Sequence, residues 1–251
     1  MRTQIKIQQQ LNEAYDKLVA NEYIANSPVQ FIRQIANRPN AIISDTEFCA
    51  ILSAMVAWGQ PQKSIEAAKS LMDMCEWEPT RYIYYGDFYD IPDDKQIYRT
   101  LKGKEFKAVL HTLRQWYDRH GSIADVIAKN TGDASFIDLF YMLCQWFAPA
   151  HMGNPDNNSA CKRITLLLRW MIRKDEIDLG IWQSQRIKPS DLYAVLDTAT
   201  CRQALHLGLV TYPKESWKAV EELTDVFRHW DATDPIKYNL VFRVSSLCIT
   251  S

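Results

Sequence analysis

Apolar residues recur at helical spacing along nearly the whole chain, and clean alternation of apolar and polar residues is almost absent. That pattern rules out most sheet architectures before any motif is considered. Only eight glycines occur in 251 residues, and 47% of the residues are hydrophobic, enough for a substantial core. The fold class read from the sequence is therefore all-α, with about ten helices. The spacing predicts helices over 3–22, from the stretch "SDTEFCAILSAMVAWG", over 61–76, and over 104–119, 122–129, 135–147, 159–174, 189–195, 198–208, 214–230 and 234–248. Ser44 or Asp45 is expected to cap the second of these, with Glu47 in its first turn and Gly59 closing the run. Residues 76–98 read as an aromatic loop with short helical pieces, and "APAHMGNPDNN" (148–158) as the clearest loop. The expected organisation is one two-lobed helical domain over 1–251, with a lobe junction at 148–158.

Aromatic residues make up 12% of the chain, which argues for order. The net charge of −1 speaks neither for nor against nucleic acid as a partner, so local clustering must decide. The six cysteines, at 49, 75, 144, 161, 201 and 248, form no C-x-x-C pair and no zinc-finger spacing. Neither a metal nor another cofactor is expected. Several sit in apolar helical patterns and read as buried free thiols of a cytoplasmic protein. The polar N-terminal stretch lacks a signal-peptide core, and no run approaches a membrane span.

Chemistry concentrates in "NSACKRITLLLRWMIRKDEIDLGIW" (158–182), where Asn158 or Ser159 can cap a helix. Ile164, Leu167, Leu168 and Met171 form its apolar stripe. Lys162, Arg163, Arg169 and Arg173 supply four positive charges between 159 and 173, with no acid among them. Such a face suits phosphates, and it equally describes a solvated helix surface. Lys162 falls in the first turn, where a helix N-terminus disfavours a cation. A lysine acts as a nucleophile only without its proton, though a surface lysine covering apolar area with its stem fits the same position. Further on, Asp197 and Thr198 in "AVLDTATCRQALHLGLV" form a natural helix start, with Asp197 as N-cap.

These blocks, with "WKAVEELTDVFRHWDATDPIKYNL", resemble an uncharacterised bacterial family carrying S-A-C-K-R-L…R-W-M-V-R-x-D…D-x-G-I-W, then L-D-x-H…A-x-x-L-G-L, then D-P-V-K-Y-D. That family in turn is similar to the helix-hairpin-helix DNA glycosylase superfamily, closest to the archaeal 8-oxoguanine glycosylases. The resemblance implies a two-lobed helical fold and a bifunctional DNA glycosylase/lyase acting on an oxidised base in double-stranded DNA, with no membrane, metal or cofactor involved. It carries Lys162 onto the family's nucleophile, Asp197 onto its catalytic aspartate, and Arg202 onto the arginine that follows. Arg163 and Arg169 become candidate DNA contacts. Trp58, Trp170, Trp182 and Tyr238 become candidates to hold an extruded base, and Gln60 and Gln62 to fill the gap it leaves. Each also fits an ordinary packing or turn role.

The chain departs from the pattern in three places. Ala199 replaces the histidine of L-D-x-H, and the tail "DPIKYNLVFRVSSLCITS" runs on without glycine. The Lys-rich middle segment matches poorly, although Lys104, Lys107, His111 and Arg114 fall on one side of a helix. Two alternatives accordingly stand beside the enzyme: a DNA-binding module that kept the fold without the chemistry, and a helical protein–protein interaction domain. Geometry separates them, because an enzyme needs the Lys162 amine within a few ångströms of the Asp197 carboxylate, in a cleft.

Overall fold

The computed structural model describes residues 2–129 and 135–242. Helix dominates, as the periodicity predicts. The N-terminal helices are α1 (Arg2–Asp16), α2 (Ala20–Ala25), α3 (Val29–Ala36), α4 (Ile43–Met55), α5 (Pro61–Met74) and α6 (Pro79–Tyr85). A short antiparallel hairpin, β1 (Gln96–Tyr98) and β2 (Leu101–Lys102), leads into α7 (Gly103–His120), α8 (Ile123–Lys129) and α9 (Phe136–Trp146). The remainder holds α10 (Lys162–Ile172), α11 (Thr198–His206), α12 (Trp217–Trp230) and α13 (Lys237–Phe242).

The centre is α4. Every residue from Thr46 to Met55 is buried, so this helix is enclosed on all sides rather than amphipathic. It packs against α3, α5, α6 and α10, while α1 lies on α13. Its two early acids do not serve their own N-terminus, which lacks a side-chain cap. Asp45 accepts from the Thr80 amide (2.9 Å) at the start of α6. Glu47 accepts from Ile123 and Ala124 (3.1 and 2.7 Å) at the start of α8, and also from Tyr117 and from Trp182 Nε1 (2.7 Å). The central helix therefore supplies the missing acceptors of two neighbours.

Several expected boundaries move, each for a local reason. The helix expected over 3–22 breaks at 17–19, where Val19 turns to extended backbone before α2. α3 was not expected. It buries Val29, Phe31, Ile32 and Ile35 against α4. Residues 76–98 contain α6 and β1 besides a 3-10 turn at Phe88–Asp90. The expected helix over 189–195 is instead a 3-10 turn, Pro189–Asp191, followed by extended chain. Tertiary hydrogen bonds hold that extended form: Thr224 accepts from Ala194 N, Arg228 donates to the carbonyls of Ser190 and Asp191, and Asn239 pairs with both the N–H and C=O of Val195. Residues 243–248 of the last expected helix, and the second half of the glycine-free tail, lie outside the described residues.

Cys49, Cys75, Cys144, Cys161 and Cys201 are buried free thiols. Among the described residues, no helix is long and apolar enough to cross a membrane.

Candidate active site

Lys162 is the first residue of α10, and Asp197 is the N-cap of α11. Each position has a local cause. α10 begins three residues later than the sequence predicts, because Asn158 and Cys161 both take left-handed backbone and the loop before α10 turns back. Gly153 permits that turn: at φ +109, a Cβ there would lie 2.6 Å from Ser159 Oγ and 3.0 Å from Cys161 Cα. Asn158 serves the start of α12 rather than α10, its Oδ1 accepting from Trp217 N (3.1 Å) beside the N-cap Ser216. The N-terminus of α10 has no side-chain cap. Asp197 ends the extended segment pinned by Thr224 and Asn239, and its Oδ1 accepts from Thr200 N at 2.9 Å. That bond fixes the direction of the carboxylate.

The other carboxylate oxygen, Oδ2, lies 3.4 Å from Lys162 Nζ, with the two side chains 26% and 21% exposed. Both residues line a cavity of about 690 Å³. Its walls come from distant segments: α1 through Ala14, the α1–α2 link through Lys17, α2 through Glu22 and Tyr23, the α4–α5 turn through Trp58, and α13 through Asn239. Lys162, Leu166 and Arg169, at i, i+4 and i+7, form one stripe of the wall. The volume falls in the range that encloses a small organic ligand such as a single base.

The other expected site residues divide by burial. Trp58 and Arg169 line the cavity. Arg169 is 2% exposed and bonds Asp178 through Nε (3.3 Å), so it belongs to an interior ion-pair network rather than to an open phosphate-binding face. Arg173 is equally buried and meets Asp175, Asp178 and Asp234 at 2.5, 3.0 and 3.0 Å. Burial alone would lower the Arg173 guanidinium, but Asp178 and Asp234 hold it above its ordinary value. This corrects the expectation that charges from Lys162 to Arg173 form one solvent-facing strip. The strip's acids lie in the following loop and at Asp234.

Arg163 does not reach outward. It donates to the carbonyls of Met55 (3.1 Å) and His151, tying the C-terminus of α4 to the loop before α10, and burial pushes its guanidinium down to about 10. Trp170 and Trp182 are fully buried, Trp182 on Glu47, so their rings are core. Tyr238 is 1% exposed and donates to Asn12, leaving no face for a base. Gln60 and Gln62 are exposed beside the rim residues Gly59 and Pro61, and Arg202 is exposed on α11 outside the cavity lining. Of the α7 residues, Lys107 pairs with Asp93 (2.7 Å), His111 bonds Tyr89 and Gln115, Arg114 lies over Tyr84, and Lys104 is exposed. Tyr23, Glu22, Lys17 and Asn239 line the cavity without any expectation from sequence. Glu22 and Tyr23 lie on α2, Lys17 in the link before it and Asn239 on α13, and no motif links them to "CKR" or "LDT". Among the described residues, no cluster of His, Cys, Asp and Glu could hold a metal ion.

A family model described as "Protein of unknown function (DUF2400)" matches residues 27–246, and the chain belongs to that family. No curated protein and no solved structure matches the chain.

Proposed function

We propose that this protein is a DNA glycosylase with abasic-site lyase activity on an oxidised, 8-oxoguanine-like base, in a two-lobed helix-hairpin-helix architecture. The observation that carries the reading is the 3.4 Å approach of Lys162 Nζ to Asp197 Oδ2, from the starts of two different helices, inside a base-sized cavity.

The chemistry follows from those two groups. A base must leave the duplex stack before its glycosidic bond is accessible, and the cavity is large enough to receive it. As the C1′–N bond lengthens, positive charge develops on the sugar, and the Asp197 carboxylate is placed to stabilise it. Asp197 also takes the proton that Lys162 must lose. The free amine then forms a bond to C1′ while the base departs with the bonding electrons and gains a proton. Opening of the sugar ring yields a protonated imine. Loss of a C2′ proton then expels the 3′ phosphate and cuts the strand.

Borohydride tests this reading, because it reduces the imine to a stable amine. Wild type incubated with an 8-oxoguanine duplex and borohydride is expected to yield a covalent protein–DNA adduct, and Lys162→Ala none. An equal adduct from both proteins removes Lys162 as nucleophile. Salt-sensitive binding with no adduct from wild type would point to the binding module without chemistry.

A further inference from the structure

Trp58, on the cavity wall, carries two guanidinium groups in opposite circumstances. Arg163, 5.5 Å from the ring centroid, is spent on backbone carbonyls. Arg99, at 4.3 Å, is exposed, and among the described residues its side chain has neither an ion pair nor a hydrogen bond. Arg99 stands at the tip of the β1–β2 hairpin, where the Tyr98–Leu101 pairing leaves Arg99 and Thr100 as a two-residue turn. Its φ of +51 is left-handed, a region that Gly or Asn occupies without the cost an arginine meets. The tip is nevertheless held in place. Tyr98 donates to the Trp58 carbonyl at 2.6 Å, and Gln96 donates to the Arg99 carbonyl at 2.7 Å. Gly59 makes room, since a Cβ there would lie 2.4 Å from Arg99 Nη1.

We propose that Arg99 is an oxyanion clamp at the cavity mouth, taking a backbone phosphate of the strand whose nucleotide enters the cavity. The proposal rests on the nucleic-acid reading above. A guanidinium donates its hydrogen bonds in its own plane, so stacking on Trp58 occupies a face and leaves the in-plane N–H groups for two parallel bonds to a phosphate. Stacking also immobilises a long side chain in advance, which lowers the ordering cost of binding. The location fits. A nucleotide whose C1′ reaches Lys162 keeps its flanking phosphates at the rim, where Trp58 and Gly59 stand. With Arg99 over the ring, Trp58 serves as the platform for the cation rather than for the base. Strained backbone under an exposed, unpaired cation is also the kind of outlier that stability alone does not explain.

The test is duplex binding by fluorescence anisotropy over a salt series of about 50 to 200 mM, for wild type, Arg99→Ala, Arg99→Gly and Arg99→Lys. Arg99→Ala is expected to weaken binding about tenfold and to reduce the slope of log affinity against log salt by about one, the value for a lost phosphate contact. Arg99→Gly should lose the same affinity while keeping the wild-type melting temperature, because glycine tolerates the left-handed turn. Arg99→Lys should recover part of the affinity. A neutral methylphosphonate placed at each phosphate flanking the damaged base should, at one position, weaken wild type and leave Arg99→Ala unchanged. Wild-type affinity and slope in Arg99→Ala overturn the proposal, as does the absence of any such position. Displacement of DNA by inorganic phosphate beyond ionic-strength-matched chloride, lost in Arg99→Ala while its DNA affinity stays wild-type, would assign the clamp to a free anion and overturn the backbone contact. If wild type itself binds no duplex and forms no adduct, the functional reading falls and takes this proposal with it. A normal adduct with unchanged Arg99→Ala binding overturns the clamp alone.

Discussion

Asp197 performs two tasks with two oxygens, and substitution separates them. Oδ1 caps α11 through Thr200 N at 2.9 Å, and Oδ2 faces Lys162 at 3.4 Å. Asparagine caps a helix about as well as aspartate, so Asp197→Asn is expected to change stability by no more than a few tenths of a kcal/mol through the cap. Asp197→Ala removes the cap and is expected to cost about 1 kcal/mol, or roughly 2–4 °C in melting temperature for a chain of this size. The ion pair adds little to that difference, because partly exposed pairs contribute about 1 kcal/mol or less. For the chemistry the two variants are equivalent. Neither can balance charge on the sugar or accept the Lys162 proton. Removing one preorganised charge-stabilising group typically costs about 10²–10³ in rate, or roughly 3–4 kcal/mol in the barrier. Thermal melts and single-turnover release of 8-oxoguanine measure both quantities on the same samples. The expected pattern is Asp197→Asn stable and inactive, and Asp197→Ala less stable and equally inactive. Wild-type base release by Asp197→Asn would refute the catalytic role, and equal destabilisation by both variants would refute the capping role.

Three further outcomes follow from the surroundings of the site. Glu47→Ala leaves Tyr117, Trp182 Nε1 and the amides of Ile123 and Ala124 without their buried acceptor, and is expected to lower unfolding free energy by about 3–5 kcal/mol in urea titrations. Asp178→Ala strands the buried charge of Arg169, while Arg173 keeps Asp175 and Asp234, and should cost a similar ~3–5 kcal/mol. Asp231 is a pH probe for the segment that leads into α13. Burial would raise its carboxyl, but the Lys237 ammonium, the Asp234 amide and Thr233 more than offset this and hold it well below the carboxylate range. Because its folded value is depressed, its stabilisation is present above the unfolded value of about 4 and is lost as pH falls through the folded one. The melting-temperature gap between wild type and Asp231→Asn should therefore be widest near neutral pH and shrink below about pH 4. A gap independent of pH would contradict that assignment.

The sequence was most legible where the cause is local. Asp197 caps α11 as its Asp-Thr start implies, and Lys162 falls in the first turn of its helix. Contacts from distant segments were not legible. Arg169 and Arg173 read as a solvent-facing basic strip until Asp175, Asp178 and Asp234 fold over them. Asp45, Glu47 and Asn158 have the right chemistry for caps, but each serves a helix other than the one it adjoins. The extended run before Asp197 has helix-compatible residues, and its conformation is imposed by Thr224, Arg228 and Asn239. The β1–β2 hairpin is too short to show alternation, so Arg99 carried no signal at all. A cavity wall assembled from five parts of the chain is likewise invisible to any window-based reading.

The central claim is that Lys162 is the nucleophile, and the direct measurement is the location of the reduced adduct. Wild type is reacted with an 8-oxoguanine duplex under borohydride and digested with nuclease and protease. The modified lysine is then identified by mass spectrometry. The expected result is one modified peptide carrying the sugar remnant on Lys162. A remnant on Lys17, the other lysine of the cavity wall, or no modified peptide at all, would contradict it.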